Sequence, residues 1–390
     1  MGCFMSAAAS LTSHPQAKRS VDRKELLALA KFCDGQANAV SFYSSLASTP
    51  DNAHRQEIIA TKKLIQDAMG NFAPEPAPAS LATDLQAVLG VVDEIQLNPA
   101  RLRVIFACGG QRIWEEFDVS ATGSLSYLQV GRRFHLAPLM MASQSVPPYC
   151  VALLETGKAR AFVVRGTEIQ EVPGRLAVED LSLHAEDSRV GWTRHIDGRQ
   201  VQHERGYFKR LSHQLLDFLS EQQISRLVVG CREDLWGEME PELAPLEKDV
   251  LIGRFHLPNF DVGSAEVLQR TTPMLGENER MRTAAVLRDI NEEPSRGALG
   301  LNDVLNSLLE GRVQKLVLGQ LPNQTVSECQ ACGQLLAEAG KKCACGSDDV
   351  RYLAAEEGLI RQALLTDAEI MFVEPGAVPG FIGAAALLRY

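Results

Sequence analysis

The chain has 390 residues, 45% of them apolar and 6% aromatic, with 39 basic against 49 acidic side chains for a net charge of −10. At about 150 residues per domain this supplies two or three hydrophobic cores, which excludes a disordered chain and a disulfide-stapled miniprotein. No run reaches the roughly 18 continuous apolar residues of a membrane span, since Leu136 to Leu154 is broken by Ser143-Gln144-Ser145 and Pro147-Pro148.

In chain order, Met1-Gly2-Cys3-Phe4-Met5-Ser6 fits a short myristoylation pattern with a palmitoylatable Cys beside it. The competing reading is a flexible tail over residues 1–20. Arg23 to Cys33 reads as a helix, Ala39 to Tyr43 as a strand, and His54 to Met69 and Leu81 to Ile95 as helices, with Phe72 to Pro78 between them as a loop. Arg101 to Ala107 and Arg112 to Val119 alternate around Cys108-Gly109-Gly110-Gln111. This predicts a β-hairpin whose paired glycines supply the positive φ of the turn.

After the Pro147-Pro148 punctuation, Tyr149 to Glu155, Ala159 to Arg165 and Thr167 to Val172 form a three-stranded meander. A polar loop over Asp180 to Asp197 leads to a helix from about Gln200 to Leu219. A buried strand over Ser225 to Gly230, an acidic helix around Leu235 and a strand over Asp249 to His256 complete the unit. Beyond Leu257-Pro258, a long charged helix covers Glu266 to Asn291. Then follow helix Leu301 to Leu309, strand Val313 to Leu318, a cysteine cluster, helix Arg351 to Leu364, and strands Glu369 to Val373 and Ile382 to Leu388. The expected fold class is α/β in three domains: 21–146, 147–258 and 262–390, the last an α/β/α sandwich with an insertion at 326–350.

Of the nine cysteines, four fall in Cys329-Gln330-Ala331-Cys332-Gly333 and Cys343-Ala344-Cys345-Gly346. Two thiol pairs, each followed by Gly, suit four tetrahedral ligands to a structural zinc, because the Gly permits a turn that aims backbone N–H groups at thiolate sulfur. The second pair departs from the commoner spacing by having one intervening residue. Scattered single thiols elsewhere fit a reducing, cytoplasmic setting.

The acidic balance repels polyanions, so nucleic-acid contact needs a local basic patch. One exists from Arg189 to His213, where Arg189, Arg194, Arg199, Arg205, Lys209 and Arg210 face only Asp197 and Glu204. Trp192 could stack on a base, with Arg194, Arg199, Arg205 and Lys209 on phosphates. The alternative is a solvated helix face opposite a buried stripe of Phe208, Leu211, Leu215 and Phe218.

Asp303 to Asn306, Gly311 to Leu318, the cysteine pairs and the ending Gly380 to Tyr390 resemble the C-terminal domain of archaeal and eukaryotic class-one peptide-chain release factors and Pelota. The whole chain from residue 21 resembles the bacterial release-factor-like family, in which Val40-Ser41-Phe42-Tyr43 and the Tyr149 to Arg165 hairpin also have counterparts. The resemblance implies a ribonuclease-H-like middle domain, a ribosomal-protein-like C-terminal domain with a zinc insertion, and action on the ribosome through rRNA or tRNA. A translational GTPase is among the partners it suggests, and a membrane is not.

Release factors of that family position water with a Gly-Gly-Gln tripeptide on a middle-domain loop. Here Gly109-Gly110-Gln111 sits in the first domain, a place that fits coincidence, and the loop equivalent by order, Leu183 to Arg205, lacks the tripeptide. Gln200 beside Gly198 is the family-positioned candidate for peptidyl-tRNA ester hydrolysis. No Asn-Ile-Lys-Ser motif supports stop-codon reading. The expected function is translation termination or rescue of stalled ribosomes. The alternatives are a non-catalytic RNA-binding or scaffold protein and a metal-dependent nuclease using Glu155, Asp180, Glu186 and Asp187.

Overall fold

The computed structural model describes residues 21–45, 52–70, 78–92, 101–120, 125–145, 147–155, 157–166, 168–176, 193–243, 250–336, 342–373, 376, 378, 381 and 383–390. The tail over residues 1–20, the 72–77 stretch and most of the 180–197 loop fall outside these residues. The chain divides into two compact units, Met1–Ala142 and Ser143–Tyr390.

In the first unit, Asp22 caps helix α1 (Arg23–Lys31): its carboxylate accepts from the Lys24 N–H while Glu25 accepts from the Asp22 N–H, a capping box that satisfies two otherwise orphaned donors. Strand β1 (Ala39–Ser45) is buried along its whole length. Helices α2 (Asn52–Gly70) and α3 (Ala79–Val92) follow. Strands β2 (Arg101–Cys108), β3 (Ile113–Ser120) and β4 (Leu125–Gly131) complete an antiparallel sheet of order β3-β2-β1-β4.

Alternation sorts the side chains of this sheet between its faces. Val40, Phe42, Ile105 and Ala107 pack with Ile65 of α2 and Leu81, Leu85 and Val88 of α3. Among the residues of opposite parity, Tyr43 lies edge-on to Phe106, and Phe106 contacts Phe134, with ring centroids 6.0 and 5.2 Å apart. The Tyr43 hydroxyl donates to the His135 carbonyl. The chain then enters helix α4 (Ala137–Ser145). Sequence reading missed β4 because Leu125–Gly131 carries Ser, Tyr and Gln in a half-exposed strand, and its pairing with β1 supplies what its composition does not.

Among the described residues, the second unit holds three sheets. Strands β5 (Tyr149–Glu155), β6 (Lys158–Arg165) and β7 (Glu168–Glu171) form the expected meander. Helix α5 (Thr193–Gln222), strand β8 (Leu227–Cys231), helix α6 (Glu233–Met239) and strand β9 (Leu251–His256) follow. The sheet order is β7-β6-β5-β8-β9, with β5, β6 and β7 antiparallel and β5, β8 and β9 parallel.

Period-two alternation divides β5 cleanly. Cys150, Ala152 and Leu154 pack against Tyr207, Phe208, Leu211, Leu215 and Phe218 of α5, while Tyr149, Val151 and Leu153 pack on the other side. There they meet Val267 and Leu275 of helix α7 (Ser264–Glu292), and the Tyr149 and Thr271 hydroxyls lie 2.8 Å apart. Each fully buried large apolar side chain of this kind contributes about 1.5–3 kcal/mol. Helix α5 starts at Thr193, so residues 193–197 are helical where a loop was expected.

The same helix α7 continues into the next sheet, formed by β10 (Gly297–Leu299), β11 (Val313–Leu318), β15 (Glu369–Phe372) and β16 (Ala384–Leu388) in the order β10-β16-β11-β15. Its second half buries Val286, Leu287 and Ile290 against Val317, Met371, Ala385 and Leu387. Helices α8 (Leu301–Leu309) and α9 (Ala355–Leu365) pack on β11 as well, and α8 also on β16. An ionic chain follows the middle of α7: Arg226 to Glu279 at 2.9 Å, Glu279 to Arg282 at 3.4 Å, and Arg282 to Glu369 at 3.4 Å.

The third sheet is small, β13-β12-β14, with β12 (Thr325–Cys329), β13 (Leu335–Leu336) and β14 (Val350–Ala354) all antiparallel. Residues 351–354 are thus strand rather than the first turn of a helix. Val-Arg-Tyr-Leu is equally at home in either, and pairing with β12 decides. Among the described residues, no helix is long and apolar enough to cross a membrane.

Candidate metal centre and basic helix

The small sheet brings the two cysteine pairs together. Cys329 ends β12, and the turn after it closes with the Gly333 N–H donating to the Cys329 carbonyl at 2.8 Å. The second turn repeats the device: the Gly346 N–H donates to the Cys343 carbonyl at 2.8 Å. Gly333 and Gly346 have φ of 76° and 88°, the left-handed region that a side chain would resist. The two turns face each other, so that Cys329, Cys332, Cys343 and Cys345 place all four sulfurs within 4.8 Å of one another. Cys329 Sγ lies 3.6 Å from Cys345 Sγ, and Cys332 Sγ 3.4 Å from Cys343 Sγ. A tetrahedron of thiolates 2.3 Å from zinc has edges of about 3.8 Å, so the donor set fits that ion in both chemistry and spacing.

Electrostatics inside the quartet is uneven. The Cys332 backbone N–H, with a smaller contribution from that of Ala331, brings the Cys329 thiol down to about 6 against the opposing effect of desolvation. At Cys343 the Cys345 N–H acts in the same direction, but desolvation and the neighbouring sulfurs outweigh it and leave the thiol at about 12. One sulfur takes the negative charge and a neighbour is then held neutral.

Beside the cysteines lies a cluster that the sequence did not disclose. Glu328, adjacent to Cys329 and 2% exposed, accepts from Arg361 of α9 at 2.9 Å and from Arg351 of β14 at 2.6 Å. Arg361 is itself buried. The only sequence signal was a charged residue at an inward position of a cysteine-bearing strand, and its partners are 23 and 33 positions away.

Of the basic candidates, Lys209 is exposed on α5 beside the buried Tyr207 and Phe208. Arg194, Arg199, Gln200 and Arg205 are placed in the first half of that same helix, and Trp192 lies outside the described residues. For the nuclease alternative, Glu155 ends β5, while Asp180, Glu186 and Asp187 lie outside the described residues. Among the described residues, the cysteine quartet is the group of three or more side chains placed to hold a metal.

Gly109-Gly110-Gln111 forms an exposed 3₁₀ turn between β2 and β3. The positive φ of this turn sits at Arg112 (58°) and at neither glycine, contrary to expectation. Gly109 is needed for close approach instead. The Asp84 carboxylate of α3 accepts from its N–H at 2.6 Å, and a Cβ there would meet Asp84 Oδ1 at 2.8 Å. Burial raises the Asp84 carboxyl above its ordinary value despite that bond.

A carboxyl raised in the folded state favours the protonated form, so its contribution to stability declines as pH rises from about 4, the unfolded carboxylate value. Asp84→Asn keeps an acceptor for Gly109 and removes the titration. Its urea midpoint should gain on the native chain as pH rises through this window, and a difference independent of pH would contradict the assignment.

Residues 135–275 match the family model described as bacterial archaeo-eukaryotic release factor family 10. That span covers the five-stranded sheet and the first part of α7. A comparison with curated proteins returns no match. Among solved structures the chain is similar to an archaeal translation termination factor, at 15% identity over 95% of this chain and 99% of that one, with a TM-score of 0.25. Archaeoglobus fulgidus Pelota is similar at 16% identity over 96% and 93%, with a TM-score of 0.32. An S. cerevisiae translation termination-like factor involved in RNA quality control is similar at 9% identity over 95% and 91%, with a TM-score of 0.40.

Proposed function

We propose that the chain acts on the ribosome, in translation termination or in rescue of stalled ribosomes, with no Asn-Ile-Lys-Ser motif to support stop-codon reading. The observation that carries this reading is the family match over residues 135–275, which takes in all five strands of the sheet that α5 packs against. The order β7-β6-β5-β8-β9, three antiparallel strands followed by two parallel ones, supports a ribonuclease-H-like middle domain over 147–258, between a domain at 21–146 and one at 262–390.

In this reading α5 is the RNA-contacting element, with Arg194, Arg199, Arg205 and Lys209 meeting rRNA or tRNA phosphates. Gln200 lies two turns inside the helix, where its backbone N–H belongs to the helical ladder and is no free donor for an oxyanion. That supports contact over ester hydrolysis as the task of this segment. Cys329, Cys332, Cys343 and Cys345 hold a structural zinc with no open position for water. The partners are the ribosome and, through it, a translational GTPase, in the cytoplasm.

Purified chain should pellet with stalled ribosomes carrying labelled peptidyl-tRNA. A variant with Arg194, Arg199, Arg205 and Lys209 replaced by Ala should bind about tenfold or more weakly, with a shallower salt dependence. Gly110→Ala, outside this surface, should pellet normally. Absence of pelleting at low salt would reject the ribosomal reading, and label release lost with Gly110→Ala would move the chemistry to the Gly109-Gly110-Gln111 turn.

A further inference from the structure

The cysteine quartet is asymmetric in access. Cys332 and Cys345 are exposed, and Cys329 and Cys343 are buried. Each exposed sulfur lies against a buried sulfur of the opposite turn, Cys332 against Cys343 at 3.4 Å and Cys345 against Cys329 at 3.6 Å. A disulfide needs about 2.05 Å, so each pair must close by roughly 1.5 Å. Both pairs join one turn to the other, which is also what a metal bound by all four would do.

We propose that this quartet is a peroxide-responsive modification site in which two cross-turn disulfides, Cys332–Cys343 and Cys345–Cys329, replace the bound metal. The inference rests on the zinc reading given above. In each pair of the zinc-bound quartet, where the metal holds all four sulfurs as thiolates, the exposed thiolate attacks one peroxide oxygen. The O–O bond breaks, one oxygen leaves as water after taking a proton, and the cysteine becomes a sulfenic acid. The buried thiolate then attacks that sulfur, the S–O bond breaks and the second oxygen leaves as water. Two thiolates, one peroxide and two protons thus give one disulfide and two waters. Two such events consume four thiolates and two peroxides and release Zn²⁺ to solvent.

The oxidised site stays cross-linked between the same two turns, so β13 and β14 remain fastened to β12 and the change reverses with a dithiol. Other thiols supply an internal contrast. Burial pushes the Cys150 thiol up to about 12 and the Cys231 thiol up to about 11. Cys33 is exposed but stands outside the quartet.

The test uses the full chain loaded with one zinc, titrated with hydrogen peroxide. Zinc release is followed with a chromophoric chelator and disulfides are mapped by peptide mass spectrometry. One zinc per chain should leave about tenfold faster than Cys33 oxidises. The two cross-turn disulfides should form, and zinc should return after reduction. Zinc retained, with the four thiols reduced while Cys33 is fully oxidised, would overturn the proposal, as would disulfides within a turn such as Cys329–Cys332. A chain that takes up no zinc before peroxide is added would instead remove the metal reading, which the zinc content at the outset distinguishes.

Discussion

Arg361→Ala should lower unfolding stability by about 3 kcal/mol or more, toward the 3–5 kcal/mol typical of breaking one side of a buried ion pair. Glu328 is 2% and Arg361 3% exposed, so removing the guanidinium leaves a carboxylate in a place where water cannot compensate it. Arg351 still reaches Glu328, at 2.6 Å, which holds the loss near the lower end of that range. The double change Glu328→Leu with Arg361→Met removes the two buried charges and leaves Arg351, whose part-exposed guanidinium can turn to solvent, and should recover at least half of the loss. Urea unfolding with a common m-value measures both. A loss below about 1 kcal/mol for Arg361→Ala would show that the cluster is hydrated.

Removal of the proposed zinc should have the largest effect of any single perturbation on residues 325–354. Among the described residues the small sheet buries few apolar side chains, Val326 and Leu335 among them, so the turns at its end should lean on the metal. Structural zinc sites in peptides supply apparent binding free energies of about 10–16 kcal/mol, so the proposed ion should contribute to the order of this segment beside the Glu328, Arg351 and Arg361 cluster. A strong chelator, or Cys343→Ser, should therefore open the segment to limited proteolysis and to fast amide exchange. The β10-β16-β11-β15 sheet, with its own core against α7, should stay protected. Zinc but not magnesium should restore protection, since hard cations do not favour thiolate ligands. Protection unchanged in the chelated chain would show that the sulfurs cluster without a metal.

How much of this was legible depends on the range of the physics involved. The β5–β6–β7 meander follows from apolar runs of strand length separated by short Gly-bearing turns, and α7 from a long helical period, both written within a few residues. The cysteine quartet is equally local, a matter of spacing and a glycine after each pair. The composition of β14 suits a helix equally, and only its pairing with β12, 21 to 29 residues earlier, makes it a strand. The start of α5 was placed late because Gly191 and Gly198 signal a loop, while the buried Tyr207, Phe208 and Leu211 anchor the helix from farther along. The Glu328, Arg351 and Arg361 cluster and the Asp84 to Gly109 bond join residues that no local pattern links.

Helix α7 bears on how such a chain can be inherited. Its first half completes the core under β5 and β8, its second half completes the core under β11, β15 and β16, and the Arg226–Glu279–Arg282–Glu369 chain bridges its middle. A recombination point anywhere along Ser264–Glu292 would leave each product with half a helix and an apolar stripe facing water. The two sheets therefore share one packing element, and a break within it would cost both cores, whereas the first 142 residues form a compact unit of their own.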